Sequence, residues 1–283
     1  MADIRPMNFG EILDGALMIY RRHFGLFLKL AVAALSLPVV LSAYFVVRAF
    51  SDLMTNPLRA LVYLLPLGLL YYIASLVLTA GTIRIISDSY LGRTPQLRDA
   101  LALGISKIVP LIAVGLGKGI VLALIIMACA LVAGIGGAVL RGSALGVALI
   151  VALVIGGVWF TVFVASGYGV TTPVVVLEDL GSSFDALGRS WELTRGFKLK
   201  VLGLAVVAFL LCNLLPSQVL QGIGTVVMRT TPAAGIGLTV AGVVLPLILA
   251  PVIAAVITLM YYDLRVRREA FDLQVLGRHL GII

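Results

Sequence analysis

The chain has 283 residues, of which 61% are hydrophobic and 12% charged, with a net charge of +8 and a mean hydropathy of +1.15. Soluble domains are about 45–50% apolar and about 25% charged, so this chain has too little polar surface to cover a globule in water, and its solvent is expected to be lipid. Period-two alternation is absent, which excludes a membrane β-barrel, and no aromatic-rich basic patch points to nucleic acid as a partner.

At the N-terminus, Asn8 is placed to cap a helix, with Glu11 three residues on reaching back. Phe9, Ile12, Leu13, Ala16, Leu17 and Tyr20 then draw one apolar stripe at helical spacing, with Glu11, Asp14, Arg21 and Arg22 on the other side. That pattern predicts an amphipathic helix lying in the membrane interface. Its charges, among them Asp3, Arg5 and Glu11, argue against a removable signal peptide.

Two apolar stretches follow, 26–47 and 58–83. Each is long enough to cross a hydrocarbon core, which takes about 20 residues. A second surface helix is expected from Thr94-Pro95, with Asp99 in its first turn and Leu97, Leu101, Gly104 and Ile108 as its apolar face. Spans 108–140 and 143–177 come next, longer than needed and so expected to tilt or to begin outside the core. Lys118, the one charge deep in an apolar run, reads either as a functional group or as a snorkelling residue near the membrane edge.

A third surface helix is expected from Ser182, with Asp185 three residues on. Its apolar face is Phe184, Leu187, Gly188 and Trp191, and its wet face holds the pairs Asp185–Arg189 and Glu192–Arg195. These charges read either as a solvated, headgroup-facing surface or as clamps on a neighbouring unit. Spans 201–227 and 233–259 complete the set. The first of these is interrupted by Asn213-Leu214-Leu215-Pro216-Ser217-Gln218, with Gln221 one turn on, which reads as interhelical glue or as a polar route. A polar exit helix opens the tail, 261–283.

An acid followed by small or apolar residues recurs at Glu11, Asp99, Asp185 and, more faintly, Asp272, at intervals of 88, 86 and 87 residues. The fold expected is therefore all-α and polytopic. Six transmembrane helices form three hairpin repeats, at about 8–93, 94–181 and 182–272, each led by a cytoplasmic interfacial helix. Basic residues set the orientation. Sixteen, including Arg21, Arg98, Arg189, Arg195, Arg265 and Arg268, fall on one side of an even-numbered topology, against Arg48, Arg59, Arg141 and Arg229 on the other. By the positive-inside bias both termini are cytoplasmic, in a cell or inner membrane, with anionic lipid headgroups as partners.

Three segments carry a family resemblance: Arg5-Pro6-Met7-Asn8-Phe9-Gly10-Glu11-Ile12-Leu13-Asp14-Gly15-Ala16, Asp185-Ala186-Leu187-Gly188-Arg189-Ser190-Trp191-Glu192-Leu193-Thr194-Arg195-Gly196, and the exit helix Tyr261 to Leu273. Together they resemble the glycerophosphoryl diester phosphodiesterase membrane-domain family. The resemblance implies a six-span membrane domain that in some members is joined to a soluble phosphodiesterase barrel. It implies no catalysis by itself.

The residues carry no chemistry of their own. A phosphodiesterase barrel needs roughly 250 further residues. His23 and His279 belong to no ligand pair, no phosphate loop or nucleophile elbow is present, and the spans hold essentially no mid-depth carboxylate to serve as a base. Cys129 and Cys212 read as core hydrophobes, and no cofactor is expected. The function expected is non-enzymatic: organising lipid, or a partner such as a lipid-metabolising enzyme, at the cytoplasmic face. Glu11, Asp14, Arg21, Asp99, Asp185, Arg189, Trp191, Arg195, Arg265 and Arg268 are the candidate contacts. The alternative is a small transporter or lipid-handling protein with a polar path near Lys118 and Asn213–Gln218, including Gln221. A hydrolase is the third reading. The topology predicts that a cysteine introduced at Ser143 reacts with an impermeant thiol reagent from outside the cell and one at Ser183 does not. The reverse labelling would refute it.

Overall fold

The computed structural model of the chain describes residues 5–52, 55–139 and 143–270. Every regular element among them is helical. In chain order these are α1 (Phe9–Arg22), α2 (Phe24–Asp52), α3 (Pro57–Tyr90), α4 (Leu97–Ser106), α5 (Ile108–Val139), α6 (Ala144–Gly167), α7 (Thr171–Leu177), α8 (Asp185–Thr194), α9 (Lys198–Phe209), α10 (Leu215–Val227) and α11 (Pro232–Glu269), with a π-helical stretch, Leu210–Leu214, joining α9 to α10. Six segments are long and apolar enough to cross a membrane: Phe24–Val46, Pro57–Tyr90, Ile108–Gly136, Gly146–Leu177, Lys198–Val227 and Pro232–Glu269. The protein is a multi-pass membrane protein by this measure. Asp272, Arg278, His279, Arg141 and Gly142 lie outside the described residues.

The chain divides into two compact units, residues 1–109 with 204–283 and residues 110–203. In the first, α2 packs on α3, α10 on α11, α4 on α3 and α2, and α1 chiefly on α11. In the second, α8 packs on α7 and on the end of α6, and Gly157 of α6 brings its backbone against Cys129 of α5.

Much of each span is exposed, as suits a surface solvated by acyl chains: Val40, Leu65, Leu131, Val158 and Leu247 are all open. Burial concentrates instead at the C-terminal ends of the even-numbered spans. Ala80–Ile83 and Ile85–Asp88 of α3, Val170, Thr171 and Pro173–Val176 around α7, and Thr258–Leu264 of α11 are buried. The short helices α1, α4 and α8 cover these ends. Each carries an acid in its first turn, Glu11, Asp99 and Asp185. In each, the residues one and five places beyond that acid are buried: Ile12 and Ala16, Ala100 and Gly104, Ala186 and Ser190.

Local details depart from the sequence reading in three places. Span 143–177 is too long for one crossing because it is two helices, broken by a turn at Tyr168–Val170. Pro95 does not begin α4; the helix starts at Leu97, with Gln96 in extended geometry as its cap. The apolar stripe of α1 is split, with Ile12, Ala16 and Tyr20 buried while Phe9 and Leu17 remain open.

Close helix approach rests on small residues. A Cβ on Gly104 of α4 would stand 2.7 Å from the Val77 carbonyl oxygen of α3. Gly224, Gly235 and Gly242 hold α10 against α11 in the same way. Gly104→Ala should therefore destabilise the protein by about 1–3 kcal/mol through overpacking against backbone that cannot yield. Gly119→Ala, with nothing within 4 Å, should be neutral or stabilising. Melting temperatures of both variants in detergent check this.

Candidate functional site

Within the first unit, the ends of α3 and α11 form a polar cluster. Asp263 is fully buried and accepts from the Met7 backbone N–H at 2.7 Å and from Arg267 Nε at 3.0 Å, while the same guanidinium donates to the Met7 carbonyl at 3.0 Å. Two of the groups that close this contact are 256 residues apart in sequence. Ser87 and Tyr262 share a hydrogen bond at 2.6 Å, and the Tyr90 and Tyr262 rings meet at 5.0 Å. Arg84 pairs with Asp88 at 2.9 Å, and the buried Asp88 Oδ1 has no hydrogen-bond partner among the described residues. His23, in the junction between α1 and α2, reaches Ser89 Oγ at 3.0 Å.

In the second unit, a groove opens between the end of α6 and the start of α9. Trp191, one of its walls, can pack on α6 because residue 167 is glycine, since any Cβ there would run into the Trp191 ring. The Gly167 carbonyl accepts from Ser190 Oγ at 2.9 Å and Thr194 Oγ1 at 3.1 Å, which fixes α8 on the end of α6. After α8 the chain turns at Gly196, whose φ of +83° lies in the left-handed region that favours glycine. The turn brings Lys198, the first residue of α9, back over Trp191. Its Nζ lies 3.2 Å from the Trp191 ring centroid and 4.1 Å from that of Phe163. Such stacking is worth about 0.5–2 kcal/mol. The cavity measures about 550 Å³ and is lined by Phe163, Trp191, Arg195, Gly196, Phe197, Lys198, Leu199 and Lys200. Three of these eight are cationic and none is a carboxylate.

The structure brings Trp191 and Arg195 into this groove and scatters the other sequence candidates. Glu11 serves α1, accepting from the Asn8 backbone N–H at 2.6 Å and pairing with Arg5 at 2.7 Å. Asp14 and Arg21 lie exposed on α1, Asp99 is exposed in the first turn of α4, and Arg268 is exposed in the last turn of α11. Asp185 accepts from the Ser182 backbone N–H at 3.0 Å, while Arg189 turns to Glu178, also at 3.0 Å. Arg265 bonds Glu269 at 3.0 Å and the Tyr261 hydroxyl at 3.2 Å. Lys118 is half-buried on α5, in the second unit. Asn213, in the π-helical stretch, Gln221, whose stem lies against Gly242, and the exposed Gln218 belong to the first.

Sequence reasoning used Lys198 and Lys200 only as topological charges and missed them as site residues. The signal was present in Lys198, which follows the turn glycine by two residues and Trp191 by seven. Among the described residues no group of three or more His, Cys, Asp or Glu is placed to hold a metal ion. No protein-family model matches the chain, and no characterised protein or solved structure is similar to it.

Two outcomes follow. Asp263→Ala strips a buried hydrogen-bonded pair of its acid and should cost about 3–5 kcal/mol, whereas Arg59→Ala, at an exposed pair 3.9 Å apart, should cost under about 1 kcal/mol. Detergent melts of the two variants test the ranking. Burial, and secondarily the charge of Arg22, hold the His23 pKa below its ordinary value of 6.5. The unfolded chain therefore takes up this proton first. The His23 contribution to stability is full above about pH 6.5 and is lost as pH falls from there through the lower folded value. A melting-temperature series from pH 8 to 5 should decline less for His23→Gln than for the wild type.

Proposed function

We propose that this chain organises lipid, or a partner protein that works on lipid, at the cytoplasmic face of a cell or inner membrane, without catalysing a reaction itself. The observation that carries this reading is the Trp191–Lys198 groove. It combines aromatic faces with cationic groups, and among the described residues that line it there is no carboxylate, histidine or cysteine to act as base or nucleophile. Such a lining suits binding an anionic, partly apolar molecule better than transforming it. Orientation follows from the basic residues, sixteen of which fall on one side of the six-span topology.

The reading includes three helical hairpins, each led by an interfacial helix. The equal offsets of buried positions from Glu11, Asp99 and Asp185 support it, as does the way α1 rests on the end of α11 while α4 rests on α3 and α8 on α7. Membership of the glycerophosphoryl diester phosphodiesterase membrane-domain family is part of the same proposal and rests on the three segments that resemble it.

A second reading, transport, draws on the π-helical stretch Leu210–Leu214. There the Leu215 N–H bonds the Leu210 carbonyl five residues back, and Asn213 lies in the bulge. Such bulges often mark functional sites. Reconstituted flux lost on Asn213→Leu and Lys118→Leu would favour it. The organising role predicts instead that a soluble partner co-purifies with the wild type and is lost on Arg189→Glu with Arg195→Glu. Turnover of glycerophosphodiesters by the pure protein would overturn both.

A further inference from the structure

We propose that the groove between the end of α6 and the start of α9 is a binding site for a phosphate anion carried by an anionic membrane phospholipid, an inference that rests on the lipid-organising reading above. Four observations converge. Among the described residues the lining holds no acid and it carries the Lys198 ammonium, so it favours a negative ligand. The Lys198 ammonium is clamped between the faces of Trp191 and Phe163. The rings hold its stem and charge in place but offer its three N–H donors no lone pair. A phosphate oxygen supplies what they lack, and a charge-assisted bond to it is among the stronger hydrogen bonds. Lys198, Leu199 and Lys200 also open α9, a 12-residue helix whose positive dipole end faces the same space.

The fourth observation selects a lipid over a free anion. Leu199 is 70% exposed and Phe163 41%, and Trp159 and Phe160 continue the open apolar surface along α6. A headgroup seated in the groove would have its acyl chains beside that surface. The volume of about 550 Å³ falls within the range of about 300–1,000 Å³ typical of ligand sites. A quaternary ammonium headgroup is disfavoured as the occupant, because the aromatic cage that would take it is filled by the chain's own cation.

The chain has two tryptophans, Trp159 and Trp191, so a Trp159→Phe background makes Trp191 the sole indole reporter. The full-length protein in a nonionic detergent is titrated with phosphatidylglycerol bearing brominated acyl chains, with brominated diacylglycerol, and with inorganic phosphate. Saturable quenching of Trp191 is expected from the phosphatidylglycerol alone. Lys198→Gln should weaken it at least about tenfold, and Lys198→Arg should retain it within about threefold, with far-UV circular dichroism unchanged in both. Equal quenching by the diacylglycerol, or an unaltered response in Lys198→Gln, would overturn the phosphate site. Saturation of the emission change by inorganic phosphate, with no preference for the lipid, would overturn the lipid source. Mass spectrometry of lipids retained by the same preparation separates this inference from the broader one. Retained lipid with an unresponsive Trp191 removes the site and leaves the organising role, whereas loss of both removes the site together with the lipid-organising reading on which it rests.

Discussion

Hydrocarbon offers no hydrogen bonds, so a chain dissolved in it must satisfy each polar group internally or carry that group to the membrane edge. The buried polar side chains described here obey that constraint closely. Thr82, Ser87 and Asp88 lie near the C-terminal end of α3, Ser166 and Thr171 flank the turn between α6 and α7, Ser190 and Thr194 lie on α8, and Thr258 and Asp263 lie near the end of α11. None of them falls at the centre of a span. Each of the three zones includes a carboxylate paired with an arginine: Asp88 with Arg84, Glu178 with Arg189 and Asp263 with Arg267. Because an unpaired buried charge is costly, each of these acids is matched within its own zone, and the Asp263–Arg267 pair also holds the chain at Met7, ahead of α1.

The short helices are the covers those zones require. A membrane helix that ends in buried polar groups needs something over it, and α1, α4 and α8 supply small or aliphatic residues facing down and charged residues facing away. Ile12, Ala100 and Ala186 are fully buried, and the small residues Ala16, Gly104 and Ser190 one turn later let the cover approach closely. For α1 the supporting end belongs to α11, at the opposite end of the chain. The Met7–Asp263–Arg267 contact therefore closes a sequence separation that no local interaction bridges.

The groove around Lys198 arises from the same economy of backbone. Gly167 allows the Trp191 ring to sit directly on α6, and Gly196 reverses the chain after α8 so that the first residue of α9 lies over that ring. Aromatic faces and a terminal ammonium are thereby held together by one position at which a side chain would collide and one whose backbone angle favours glycine. Lys198, one of the cations that flank the apolar spans, also lines a ligand-sized space.

Composition and apolar run length were enough to read the helical class, the six long apolar helices and the polar segments between them, because burial in lipid is a property summed over some 20 residues and needs no partner. The capping of α1 by Glu11 was legible too, since it depends on residues three apart. Ion-pair choice was not. Asp185 and Arg189 satisfy the spacing of a helical pair, yet Arg189 bonds Glu178 and Asp185 bonds the chain before its own helix. Nor did run length reveal the break at Tyr168–Val170, the π-helical stretch before Pro216, or the meeting of Lys198 with Phe163. Those features depend on which helix ends meet in space, and the directional, short-range interactions that decide this leave no periodic trace in the chain.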